Sequence, residues 1–102
     1  FEGIVPGKTG RQADALARDY LAYRNFDKFF THSLGHGIGI NIHEFPTLGP
    51  NSDAVLKDGM VFSNEPGVYF EGRFGIRIED TVYLDKGITK SFMTADKKLT
   101  VL

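Results

Sequence analysis

Three histidines, and no others, stand in the glycine-rich stretch HSLGHGIGINIHEFP, residues 32–46: His32, His36 and His43. Imidazole is both a base and a metal ligand near neutral pH, so such crowding asks for a chemical reason. His32 and His36 are spaced i,i+4, but Gly35, Gly37 and Gly39 would each cost a helix about 1 kcal/mol, which argues against a helical zinc pair. Thr47 stands where a second histidine would complete an HExxH motif after His43-Glu44, and Ile40 stands where GxGxxG requires glycine. What the glycines do supply is close backbone approach, which suits a strand rim where polar side chains converge on a small ligand. Glu65 precedes Pro66, a position biased to extended backbone, and Glu79 shares a strand face with Arg77. One imidazole and two carboxylates could therefore meet. With no cysteine in the chain, any metal is held by nitrogen and oxygen, a donor set suited to Mn, Co, Zn or Fe. Taken one at a time, a histidine is more often a hydrogen-bonded structural residue than a ligand, while Glu65 as a strand-end charge and Glu79 as an ion pair with Arg77 stand even with the chemical reading.

The elements that must position these groups follow from periodicity. Thr9 and Gln12 form a capping-box pattern, and Ala13, Leu16, Ala17, Tyr20 and Leu21 then recur at helical spacing, which predicts one amphipathic helix over residues 10–25. Arg11, Asp14 and Arg18 are expected on its solvated face, with Asp14 and Arg18 spaced as an i,i+4 pair. Downstream, short apolar runs punctuated by Gly and Pro predict strands and turns. Asp58-Gly59 marks a turn before MVFSNEPGVYF, a run interrupted at Pro66-Gly67, and Arg73 to Gly75 leads into IRIEDTVYLD. In that last run Ile76, Ile78, Val82 and Leu84 share one face of a single strand, opposite Arg77, Glu79, Thr81 and Tyr83. Asp80 then falls on the apolar face, where alternation alone does not account for it. LTVL at the end reads as a closing strand. Phe29, Phe30, Phe45 and Phe62 are expected in the core, as are Phe70 and Phe74, which flank a tight turn.

The 102 residues, 41% hydrophobic and 13% aromatic, suffice for one core. Twelve Lys and Arg against thirteen Asp and Glu, a net charge of -1, give no reason to expect nucleic acid as a partner. The apolar runs are far shorter than the roughly 20 residues of a membrane span, so no membrane partner is expected and cytoplasm is the default compartment. The opening FEGIVPG lacks a methionine, and a fragment is expected.

Four ordered motifs, His36 in HSLGHGIG, His43-Glu44 in IHEFP, Glu65 in SNEPGVYF and Glu79 in FGIRIED, together resemble the carboxy-terminal part of the pita-bread metallopeptidases. Methionine aminopeptidases share the first two motifs, whereas the EPGVYF and GIRIED segments are similar to the Xaa-Pro aminopeptidases and Xaa-Pro dipeptidases, or prolidases. The similarity runs from about Gly7 to the end. It implies an α+β fold, one helix followed by a curved, mainly antiparallel sheet, with residues 1–102 forming the carboxy-terminal piece of a single catalytic domain. It implies further that His36, Glu65 and Glu79 are metal ligands, with Glu65 touching the attacking water and Glu79 bridging two ions. His32 and His43 match histidines that hold substrate and stabilise the oxyanion, and Tyr69 and Arg77 match positions that support the ligands. The implied reaction removes the residue before a proline at the second position of a peptide, using two divalent ions such as Mn, Co or Zn.

The chain departs from the family in lacking the two aspartate ligands supplied upstream of the helix. Asp14 and Asp19 cannot replace them, because they fall within the predicted helix. Three ligands remain for one ion, and unneutralised glutamates at one site would repel each other and weaken the metal-free fold. Weak or partial metal binding and negligible activity are therefore expected of this chain alone, with association into a homo-oligomer through an exposed sheet edge. A non-catalytic pita-bread module that binds peptide is the alternative, and retention of His36, Glu65 and Glu79 together speaks against it.

Overall fold

Helix α1, Gly10–Tyr23, begins where its capping box dictates. The Thr9 hydroxyl accepts from the Gln12 backbone N–H, and the Gln12 side chain accepts from the Thr9 backbone N–H. It ends two residues earlier than its periodicity predicts. Asn25 adopts a left-handed conformation with φ 61°, and the amides of Asn25 and Phe26 close back onto the carbonyls of Ala22 and Leu21. That is a Schellman stop with asparagine in the role usually taken by glycine. The computed structural model describes all 102 residues.

Seven strands follow α1 and a short 3-10 turn at Asp27–Phe29: β1 Gly35–Gly37, β2 Glu44–Leu48, β3 Val61–Asn64, β4 Gly67–Phe70, β5 Phe74–Arg77, β6 Asp80–Asp85 and β7 Ile88–Ser91. Five of them form an antiparallel sheet in the order β2-β1-β3-β6-β7, while β4 and β5 pair separately. The core gathers Leu48, Phe62, Val82 and Leu84 from this sheet with Ala13 of α1 and Ile4, Phe30, Leu34 and Leu56 from the connections. No helix is long and apolar enough to cross a membrane.

The run from Ile76 to Leu84 is two strands, not the single one its alternation predicts. In the β3–β6 ladder Asn64 faces Asp80, and in the β4–β5 ladder Gly67 faces Arg77. The two ladders thus keep one register across a gap in which Glu65 and Pro66 stand opposite Glu79 and Ile78. Pro66 has no N–H to give to a ladder, and only its carbonyl is used, accepting from the Ile78 amide at 3.2 Å. The interruption sends Val82 and Leu84 into the core and leaves Ile76 and Ile78 exposed.

Other expectations are corrected as well. Asp14 does not lie on a solvated face: it is 1% exposed, and Arg18 reaches it from the same side of the helix. Phe45 is exposed on β2 instead of buried, because a bulge at this edge strand turns it outward. Phe70 and Phe74 join Phe26 and Phe29 in a partly exposed stack of rings rather than the core. LTVL forms no strand. The place beside β6 is taken by β7, which returns through Lys86-Gly87 with φ of 51° and 82°, a two-residue hairpin turn of the primed type. Asp80 finds its explanation here: its buried carboxylate accepts from the Ser91 hydroxyl of β7 at 3.2 Å and pairs with Lys97 at 3.0 Å.

Candidate active site

β1 is a three-residue strand wedged between β2 and β3, and its glycines make that fit possible. A Cβ on Gly35 would collide with the Ser63 carbonyl, and one on Gly37 with the Phe45 carbonyl. The strand sits closer to both neighbours than any side chain allows. Opposite His36 and Gly37 the β2 partner jumps from Thr47 to Glu44. Such a bulge re-aims the side chains at a sheet rim. It opens a cleft of about 550 Å³ whose walls include His32, His36, His43, Glu44, Glu65 and Arg77.

Within the cleft His36 and Glu65 meet, with Nε2 3.2 Å from Oε1. The opposite ring nitrogen of His36, Nδ1, lies 3.0 Å from the Gly37 carbonyl and must be the donor there. In the neutral ring Nε2 then offers a lone pair, which points at a carboxylate that has only lone pairs to return. A cation belongs between two such acceptors, whether a proton on the ring or a metal ion. Two donors each about 2.1 Å from one ion, at ligand angles of roughly 90–109°, stand roughly 3.0–3.4 Å apart, and the observed separation falls in that interval. A histidine whose far nitrogen is fixed by a carbonyl is also the usual form of a metal-binding imidazole. The pair fits a divalent ion.

Ser63 finishes the arrangement. Its hydroxyl accepts from the His36 amide at 3.0 Å and donates to Glu65 Oε1 at 2.7 Å, tying backbone and carboxylate to one buried side chain. Sequence reading passed over Ser63, yet its spacing of two from Glu65 in an extended run puts both on one strand face. Arg77 reaches the other carboxylate oxygen, Nη1 to Oε2 at 3.5 Å. Its Nε donates to the Tyr69 hydroxyl at 2.7 Å, and that bond is the main cause of a guanidinium pKa above its ordinary value, with Glu65 and Glu79 adding to it. Tyr69 in turn lies 2.9 Å from His32 Nε2, while His32 Nδ1 lies 2.8 Å from the Ser33 carbonyl. Since only a donor suits a carbonyl, His32 carries its proton on Nδ1 and Nε2 accepts from Tyr69. The hydrogen bonds run in one direction from Arg77 to Ser33.

The remaining candidates are placed less closely. His43 is exposed in the cleft, its ring centroid 4.3 Å from that of His36. Glu79 stands across from Glu65 in the register, but its side chain is exposed and takes no part in the cleft wall. No group of three or more His, Asp or Glu side chains is close enough in this chain to hold a metal. His36 and Glu65 are brought together; Glu79 is brought alongside and not into contact.

Residues 1–86 match the model of metallopeptidase family M24. An Xaa-Pro dipeptidase of Lactobacillus helveticus is 43% identical over 102 residues, 100% of this chain and 28% of that protein. Among solved structures, the Xaa-Pro dipeptidase from Bacillus anthracis has a TM-score of 0.95 at 44% identity, covering 99% of this chain and 28% of that one. An X-prolyl aminopeptidase from Caenorhabditis elegans, described as a cytosolic enzyme with a di-nuclear active site, has a TM-score of 0.67 at 35% identity over 78% of this chain and 13% of that one. The chain spans about 28% of the length of the curated relatives it matches. Its one helix and mainly antiparallel sheet correspond to the carboxy-terminal half of the prolidase pita-bread fold.

Proposed function

Because this chain belongs to metallopeptidase family M24, we propose that it supplies one wall of the active site of a peptidase that removes the residue before a proline at the second position of a peptide. The observation that carries this reading is the opposed His36 Nε2 and Glu65 Oε1, two acceptors 3.2 Å apart in an open cleft. His36 and Glu65 would hold a divalent ion, Mn, Co or Zn, and Glu79 is proposed as a further, bridging ligand on the strength of its place opposite Glu65. When bound, such ions lower the pKa of a water toward neutrality and polarise the scissile carbonyl.

The residues of the chain do the rest. Glu65 takes the proton of the attacking water on the oxygen not committed to Ser63 and returns it to the departing imide nitrogen. Arg77, with Nη1 3.5 Å from that oxygen, holds it toward the cleft. His43, exposed beside His36, donates to the oxygen of the tetrahedral intermediate. His32 has both ring nitrogens engaged, so it holds Tyr69 and through it Arg77, and reaches substrate only by giving up the Tyr69 bond.

The chain alone, with His36 and Glu65 in contact and Glu79 apart, is proposed to turn over negligibly. Hydrolysis of Ala-Pro and Gly-Pro substrates in manganese or cobalt should be near background for the 102 residues and substantial once an upstream segment carrying an aspartate pair is joined to them. Turnover by the short chain comparable to a normal enzyme, or none by the extended one with metal bound, contradicts the reading.

A further inference from the structure

We propose that Asp14 and Arg18 of α1 are positioning residues that set the proton location on His32, through a clamp on the irregular segment between the helix and β1. Residues 30–34 belong to no helix or strand, so their backbone groups have no ladder to satisfy them. The helix does so instead. Arg18 donates Nη1 to the Phe30 carbonyl at 2.9 Å and Nη2 to the His32 carbonyl at 3.0 Å. It also grips Asp14 with Nε at 2.7 Å and Nη2 at 3.1 Å. Asp14 Oδ1 accepts the Leu34 amide at 2.9 Å, and the Leu34 carbonyl accepts the Glu65 amide at 2.8 Å. One guanidinium thus fixes the carbonyls of Phe30 and His32, and one buried carboxylate fixes the amide at the end of the segment. The guanidinium also lies 4.4 Å from the centroid of the Phe30 ring, which packs edge-on against His32.

The consequence falls on His32. Its Nδ1 proton is held by the carbonyl of its own neighbour, Ser33. Asp14 pins the Leu34 N–H of that same planar peptide unit and Arg18 pins the carbonyl of the unit before it, so together they fix the direction of the Ser33 carbonyl. With the clamp intact only the Nδ1–H form satisfies both Ser33 and Tyr69. With it released, the Ser33 carbonyl is free to turn and the competing Nε2–H form gains population, breaking the directed chain to Tyr69 and Arg77. A buried ion pair is a poor source of stability compared with apolar packing, so a positioning duty explains why this pair sits beneath the site.

The importance of this clamp for catalysis rests on the peptidase reading, but the clamp itself does not, and the test requires no turnover. Nitrogen-15 NMR of the 102-residue chain should show His32 as a single neutral tautomer, with Nδ1 protonated. In Arg18→Met the minor tautomer should rise by about tenfold or more, and in Arg18→Lys by less, because one ammonium keeps Asp14 paired but cannot span two carbonyls. A folded Arg18→Met with unchanged His32 nitrogen shifts overturns the proposal. Should that variant not fold, hydrogen exchange on the unaltered chain decides: the Leu34 amide should exchange about a hundredfold more slowly than that of Ser33 despite lying outside any ladder. Equal rates overturn the proposal without any substitution.

Discussion

At the scale of the residue, the cleft is an exercise in matching donors to acceptors. Glu65 is nearly buried, and Ser63, Arg77 and His36 share its two oxygens. Removing the hydroxyl leaves a buried carboxylate oxygen short of a donor, so Ser63→Ala should cost about 1–3 kcal/mol, read as a lower denaturation midpoint at unchanged slope. If Glu65→Gln proves as destabilising as Ser63→Ala, the charge on Glu65 matters to Arg77 as much as its shape does to Ser63. That His32, His36, His43 and Glu65 gather in one cleft was legible in the sequence because their motifs are ordered, whereas Glu79 stands outside the cleft wall. Asp14 and Arg18 were not legible, since an i,i+4 ion pair on a helix looks the same whether it faces water or, as here, a loop that arrives twelve to twenty residues later. Burial of a charge is decided by its partner, and the partner is distant in sequence.

At the scale of the element, two short strands are set by features lying on their neighbours. β1 fits only because Gly35 meets the Ser63 carbonyl where a side chain would be. Gly35→Ala should therefore destabilise by about 1–3 kcal/mol as the backbones are forced apart. Gly59→Ala, where φ is 85° but the added methyl meets open space, should cost only about 1 kcal/mol. Thermal unfolding of the two variants gives the order, and a milder effect at Gly35 would argue against the tight β1–β3 approach. The helix start was readable because its capping box is local. The division of Ile76–Leu84 into β5 and β6 was not, because the alternation within that run falters only at Asp80 and the cause, Pro66, lies on the opposite strand. The β6–β7 turn has a local sign in Lys86-Gly87, left unused when LTVL is read as the closing strand.

At the scale of the whole molecule, the core is small: 19 of 102 residues are buried, while Phe74, Ile76 and Ile78 on and beside β5 are 60%, 55% and 43% exposed. An apolar strand edge left open to water favours association, so sedimentation of the chain at tens of micromolar should give a concentration-dependent mass above that of the monomer. A monomer at every concentration would show that this face is tolerated as it stands. The incomplete site belongs to the same scale, for His36 and Glu65 supply two donors and Glu79 stands opposite without joining them. The most direct measurement is calorimetric titration of manganese or cobalt into the unaltered chain, His36→Ala and Glu65→Gln. A weak, saturable uptake of one ion per chain, abolished in both variants, is the predicted result. No saturable binding, or binding that survives both substitutions, would contradict the assignment of this pair as a metal site.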